Sequence, residues 1–174
     1  MKKILFASVI SLLVMSCSDK DKKEDDASKK NTEMKAVYEK NLATLKTGIA
    51  AFEKEDLEGW AAGVADSATW SSPAYGDTVS TKAHWKESLK YYLDNWDNLK
   101  LNGATFLPGV DSATQELDGS VRYYGSWNGV HSSGKATQLK FYGTYDFNKD
   151  NKIISGSDYF DLGGMMNAVA PKNQ

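Results

Sequence analysis

The stretch GKATQLKFYGTYDFNKDNKI, Gly134–Ile153, decides the reading of the fold. From Lys135 to Phe147 its side chains follow a period of two, the signature of a strand with one covered face. Tyr145 then lies on one side, with Tyr142 and Thr144 on the other. The polar run Asp146-Phe147-Asn148-Lys149-Asp150-Asn151 that follows is a hairpin turn leading to a further strand over Ile153–Phe160. Working outward, the same period appears near Lys100–Leu107 and Ser120–His131, so that Tyr123 shares the side of Tyr145 and Tyr124 that of Tyr142.

Upstream the period lengthens. Met34, Tyr38, Leu42, Leu45, Ile49 and Phe52 recur at three- and four-residue steps and predict a helix over Thr32–Glu53, capped by Asn31 or Thr32. Gly48 within it costs roughly 1 kcal/mol relative to alanine. A short helix opens at Asp56, whose carboxylate can accept from free amides, and turns Leu57, Trp60, Ala61 and Val64 inward. A third begins after Thr81 and carries Trp85, Leu89, Tyr92 and Trp96 as a stripe better suited to a core than to a cofactor. Helices first and antiparallel strands afterwards predict an α+β domain.

The N-terminus is of another kind. Lys2 and Lys3 precede an apolar run, Ile4–Met15, well short of the ~20 residues a membrane-spanning helix needs. Residues 1–16 therefore read as a secretory signal. Val14-Met15-Ser16-Cys17 resembles a lipobox, which implies that Cys17, the only cysteine, is acylated and becomes the mature N-terminus. Ser18–Glu33 contains six acids, five lysines and no apolar residue larger than Ala27. Such a segment cannot bury enough surface to offset its ordering entropy, so residues 17–31 are expected to form a disordered charged tether. Its Lys23-Glu24-Asp25-Asp26 resembles the acidic export signal of Bacteroidetes-type lipoproteins, which implies an outer-membrane lipoprotein displayed at the cell surface.

Residues 32–174 suffice for one domain. The formal charge of −2 falls to −4 once Lys2 and Lys3 leave with the signal, and the lysines form no stripe with interleaved aromatics. Nucleic acid is excluded as a partner on that ground.

The words EKEDLEGWAAGVADSATWSSP (Glu53–Pro73), GKATQLKFYGTYDFNKDNKI and DYFDLGGMMNAV (Asp158–Val169), in this order, resemble the SnoaL-like branch of the nuclear transport factor 2-like superfamily. The resemblance implies a cone: a curved antiparallel or mixed sheet wrapped around three N-terminal helices, with a pocket inside. It also implies where chemistry would sit. Isomerase-like members carry a basic carboxylate before the Pro of the first strand, a Tyr on the first helix and a protonated Asp on a central strand. The matching positions here are Ser72, Gly48 and Gly143, which supply neither base nor oxyanion donors. Their small size is expected to leave the pocket open. SnoaL-type cyclases use an Asp/His pair, for which Asp158, His84 and His131 are candidates.

Other signals are weaker. Asp146, Asn148 and Asp150 mimic part of a calcium loop, but Asn151 replaces its glycine and Ser157 its bidentate Glu. His131-Ser132-Ser133-Gly134-Lys135-Ala136 lacks the spacing of a phosphate loop. No metal or cofactor is expected. The five Trp and nine Tyr exceed what a small core readily absorbs, and Trp70, Tyr75, Tyr123, Trp127, Tyr145 and Phe160 are candidates for the pocket wall.

Three readings follow. The first is a membrane-anchored, noncatalytic domain binding a small apolar or aromatic molecule against Trp70, Trp127, Tyr145 and Phe160, with Ser72 and Asp158 as polar fixing points. Alternation places Trp70 with Ser72, and Gly156 and Asp158 with Phe160. The second is an isomerase, dehydratase or cyclase using a non-standard carboxylate, Asp158 or Asp161. The third is a homodimer formed through the outer sheet face around Tyr124, Tyr142 and Thr144. A carboxylate buried at the bottom of the cone would favour catalysis.

Overall fold

The computed structural model describes residues 18–171, with side chains from residue 28 onward. The signal sequence and Cys17 lie outside the described residues. Two helices, α1 (Ser18–Phe52) and α2 (Leu57–Ala62), precede strand β1 (Val64–Ser71). A two-residue strand β2 (Ser80–Thr81) leads into helix α3 (Lys82–Asn95). Strands β3 (Trp96–Val110), β4 (Leu117–His131), β5 (Ala136–Phe147) and β6 (Ile153–Tyr159) follow, and α4 (Leu162–Val169) is the last element of the described residues.

The strands form one curved, open sheet in the order β2-β1-β6-β5-β4-β3. Only β1 and β6 run parallel; the remaining pairs are antiparallel. The expected α+β architecture is present. Tyr123 and Tyr145 are buried on the inner face, while Tyr124, Tyr142 and Tyr159 stack on the outer one with centroids 4.7 and 5.5 Å apart.

Helix α1 lies against the inner face through Tyr38, Leu45 and Phe52. Asn41, 2 % exposed, fixes its placement: it donates to the Gly119 carbonyl at 2.8 Å and accepts from Asn151 Nδ2 at 2.8 Å. Asn151 can reach it because the β5–β6 turn holds it at φ 58°, a left-handed conformation that asparagine tolerates. At the other end of α1, Glu53 accepts the Leu101 amide of β3 at 2.8 Å.

Several expectations are corrected. Helix α1 starts at Ser18, so the charged segment read as a disordered tether continues the helix; lysine, glutamate and alanine are good helix formers even without a covered face, and residues 28–33 are exposed. Thr32 is accordingly not a cap but donates to the Ser28 carbonyl one turn back, at 2.9 Å. Val64 and Trp96 open strands rather than ending helices. Helix α4 had no counterpart in the sequence reading.

Two helix starts agree. Asp56 accepts the Gly59 amide at 2.7 Å, and Thr81 accepts the His84 amide at 3.4 Å.

Candidate functional site

Inside the cone lies a cavity in two adjoining lobes. One, of about 70 Å³, runs towards α1 and α2 past Gly48, Trp60 and Tyr145. The other, of about 80 Å³, runs towards α4 past Trp70, Tyr92, Phe160 and Met165. Phe52, Leu89, Trp127, Phe141 and Asp158 border both lobes, so Asp158 stands where they meet.

The walls are a column of aromatic rings. Trp70, Trp85, Tyr145, Tyr123, Phe141 and Phe160 stack in succession, with centroids 5.0 to 6.2 Å apart. Each such pair contributes roughly 0.5–1.5 kcal/mol beyond the area it buries. Phe52 meets Trp127 edge-on at 5.5 Å. Trp127 Nε1 donates to Tyr123 Oη at 3.3 Å.

Asp158 is 7 % exposed, and its two oxygens are held separately. Trp70 Nε1 donates to Oδ2 at 2.8 Å and Tyr145 Oη to Oδ1 at 2.7 Å. Burial pushes the Asp158 carboxyl up to about 6, and the hydrogen bonds from Tyr145 and Trp70 restrain the rise. Burial, then the Asp158 charge, drives the Tyr145 phenol well above its ordinary value, which keeps it a donor. The same two causes, in the same order, push Tyr92 up to about 12. Among the described residues no lysine, arginine or histidine lines either lobe.

Of the residues expected to meet a ligand, Trp127, Tyr145 and Asp158 line the first lobe, and Trp70, Trp127, Asp158 and Phe160 the second. A cavity therefore separates Trp70 from Trp127. Gly156, Asp158 and Phe160 share the inner side of the last strand as alternation requires, with Tyr159 54 % exposed opposite.

Ser72 borders neither lobe; its hydroxyl accepts the Ala74 amide at 3.1 Å and so closes the turn after β1. Tyr75 is fully exposed. Gly143 does not open space, because a Cβ there would stand 2.7 Å from Tyr145 Oη and 2.8 Å from Phe141. Those two rings already fill the position.

Neither histidine pairs with Asp158. His84 sits on the exposed face of α3 beside Glu87, 3.8 Å away. His131 packs on Trp96 at 4.5 Å and bonds Ser133 at 2.9 Å. Asp161 is spoken for as well, since it caps α4 by accepting the Gly164 amide at 2.8 Å.

Gly48 does border the cavity. Its added Cβ would meet only Trp60 Cδ1, at 3.5 Å, an ordinary contact. Gly48→Ala is therefore expected to stabilise the domain by about 1 kcal/mol through helix propensity. Chemical denaturation measures this, and a destabilised variant would show that the backbone approach at Gly48 is tighter than the geometry allows. Leu89 and Tyr92 belong to the helical stripe read as core, and a stripe gives no sign of whether its partner is protein or cavity.

No family model and no curated protein sequence matches the chain. Solved structures do match. A nuclear transport factor 2-like protein of unknown function from Burkholderia pseudomallei superposes with a TM-score of 0.60 at 18% identity, over 76% of this chain and 98% of that one. A protein of Xanthomonas campestris pv. campestris, proposed to be a polyketide cyclase, gives 0.62 at 15% identity over 77% and 99%. The chain carries the nuclear transport factor 2-like fold. TerC, co-crystallised with polyporic acid, has this fold too, with a TM-score of 0.60 at 20% identity over 75% of this chain and 98% of that one. As a nuclear transport factor 2-like cone, the domain keeps its interior open at Gly48 and places a carboxylate on β6, directly across the ladder from Gly143.

Proposed function

We propose that this domain binds one small, largely apolar molecule inside the cone, with the polar end of that molecule at Asp158. The supporting observation is the junction of two aromatic-walled lobes at a single buried carboxylate. Ligand sites of this kind are mostly apolar with few polar groups that fix orientation. The fold neighbour TerC, co-crystallised with polyporic acid, accords with a small-molecule role.

Titrating single-ring aromatic compounds while following tryptophan emission tests this. Binding is expected for the wild type, weakened by Trp127→Phe and abolished by Gly48→Leu, whose side chain would occupy the first lobe. Failure of every compound to perturb emission would overturn the reading.

A second reading is favoured by the Asp158 carboxyl lying up at about 6, within reach of the pH at which a general acid or base works best. In it Asp158 transfers a proton to or from the bound molecule, in an isomerase, dehydratase or cyclase reaction. Fold neighbours proposed to be polyketide cyclases accord with it. Asp158→Asn would then remove turnover while leaving the ligand bound; turnover surviving in that variant would exclude the residue from the chemistry.

We also propose that Cys17 anchors the domain to a membrane through acyl chains, each buried methylene contributing ~0.8 kcal/mol. Metabolic labelling with a fatty-acid analogue is expected to mark the wild type and not Cys17→Ala. Equal labelling of both would exclude acylation at Cys17.

A further inference from the structure

Among the described residues, Asp158 is a buried carboxylate without a counter-charge. Among the described residues, no basic side chain lines the lobes that meet at it, and Asp158 takes part in no ion pair. Its protein partners are an indole N–H and a phenol O–H, each given to a different oxygen. Two donors leave accepting capacity on both oxygens, since an ionised carboxylate offers about four lone-pair sites.

Buried charges in proteins are ordinarily paired, because an unpaired one carries its whole desolvation cost. The ion pairs Asp66–Lys82 at 3.0 Å and Asp94–Lys90 at 2.6 Å, by contrast, lie at the surface, where water already solvates the charge. Asp158 is the one buried carboxylate among the described residues, and no cation there offsets its charge.

We infer that the missing counter-charge arrives on the ligand, and that the cone selects a small organic ammonium ion with an apolar, single-ring body. The inference rests on the proposed binding function and specifies the chemistry of its polar end. An ammonium group at the junction would meet Asp158 directly, in surroundings where water competes weakly. The phenyl-lined walls tolerate the same charge, since an aromatic ring attracts a cation over its face. Tyr92, on the wall of the second lobe, offers a hydroxyl oxygen as a further acceptor. The body has room in proportion: an apolar cavity of about 150 Å³ holds benzene, and the two lobes of about 70 and about 80 Å³ adjoin.

A neutral ligand fits this arrangement less well. An alcohol or phenol can hydrogen-bond Asp158 but leaves its charge uncompensated, so a cation and its neutral isostere should be told apart at this one residue. That difference separates a charge-selective site from a merely apolar one.

The test uses the full chain and three probes of similar shape: benzylamine, which is protonated at neutral pH, benzyl alcohol and toluene. Titration calorimetry is expected to give benzylamine at least tenfold tighter binding than benzyl alcohol. In Asp158→Asn the two affinities are expected to converge to within twofold, with benzyl alcohol still bound. The wild-type comparison needs no variant and stands even if Asp158→Asn does not fold. Equal affinities of the amine and the alcohol in the wild type would overturn the ammonium inference and leave the binding function standing. Absence of binding by all three probes would overturn both.

Discussion

Trp85→Ala is expected to destabilise the domain by about 3–5 kcal/mol, the usual range for deleting a buried tryptophan. Trp85 is 2 % exposed and is the second ring of the aromatic column, stacked on Trp70 at 5.8 Å and on Tyr145 at 6.2 Å, with Trp60 edge-on at 5.1 Å. It therefore joins α2, α3, β1 and β5. Domains of this size hold only about 5–15 kcal/mol in total, so this one substitution removes a large share of it.

The neighbour that makes this packing possible is Gly156 on β6. A Cβ there would stand 2.4 Å from Trp85 Cη2, with two more ring carbons at 3.0 and 3.1 Å. The ring is wedged between Trp60, Trp70 and Tyr145 and cannot swing away. Gly156→Ala is thus expected to cost ~1–3 kcal/mol by overpacking. With Trp85 already replaced by alanine the obstacle is gone, and Gly156→Ala should cost little. Urea denaturation of the two single variants and the double variant measures this coupling. Strictly additive losses would mean that the indole and the glycine do not depend on each other.

The sheet was legible in the sequence because its two faces differ. Tyr123 and Tyr145 read as inward and Tyr124 and Tyr142 as outward from alternation alone, and the sheet places them so. Asp158 was likewise placed on the inner side with Phe160. Its partners were not legible, because Trp70 is 88 residues away in sequence and only the parallel pairing of β1 with β6 brings the indole to the carboxylate. Nor was the pairing of Gly143 on β5 with Asp158 at the facing position of β6.

Periodicity failed where it carries no signal. The outer part of α1 has no apolar face, so its helix left no pattern among the charges. Helix α4 contains Gly163 and Gly164 in its first turn, poor helix formers that masked it; the cap at Asp161 was the available sign. Ser72 failed for a different reason. Parity held up to Trp70, but the strand ends at Ser71, and a turn residue no longer obeys the alternation of the strand before it.

Asp158→Asn is expected to make the domain more stable at pH 8, by up to about 3 kcal/mol, the difference that a carboxyl pushed from 3.8 to about 6 represents. The sign follows from proton uptake. An acid with a higher pKa in the folded than in the unfolded chain binds its proton first when folded, so its contribution is favourable below the ordinary carboxylate pKa. That contribution is lost progressively as pH rises from about 4 to about 6, and above this the folded state carries a buried charge in full. Asparagine escapes the penalty while keeping the contacts: its Oδ1 can accept from Trp70 Nε1, and its Nδ2 can donate to Tyr145 Oη, a hydroxyl able to reverse its role. Other carboxyls also titrate on acidification, below that range, among them Asp66, held down by Lys82, and Asp111, held down by backbone amides. They are present in both proteins and cancel in the difference. The stability of Asp158→Asn minus that of wild type should therefore be near zero at pH 4, climb between pH 4 and 6, and then level off. Parallel curves would mean that Asp158 titrates as an ordinary surface acid. A rising difference would identify a residue kept at a cost to stability, as sites shaped for a ligand or a reaction commonly are.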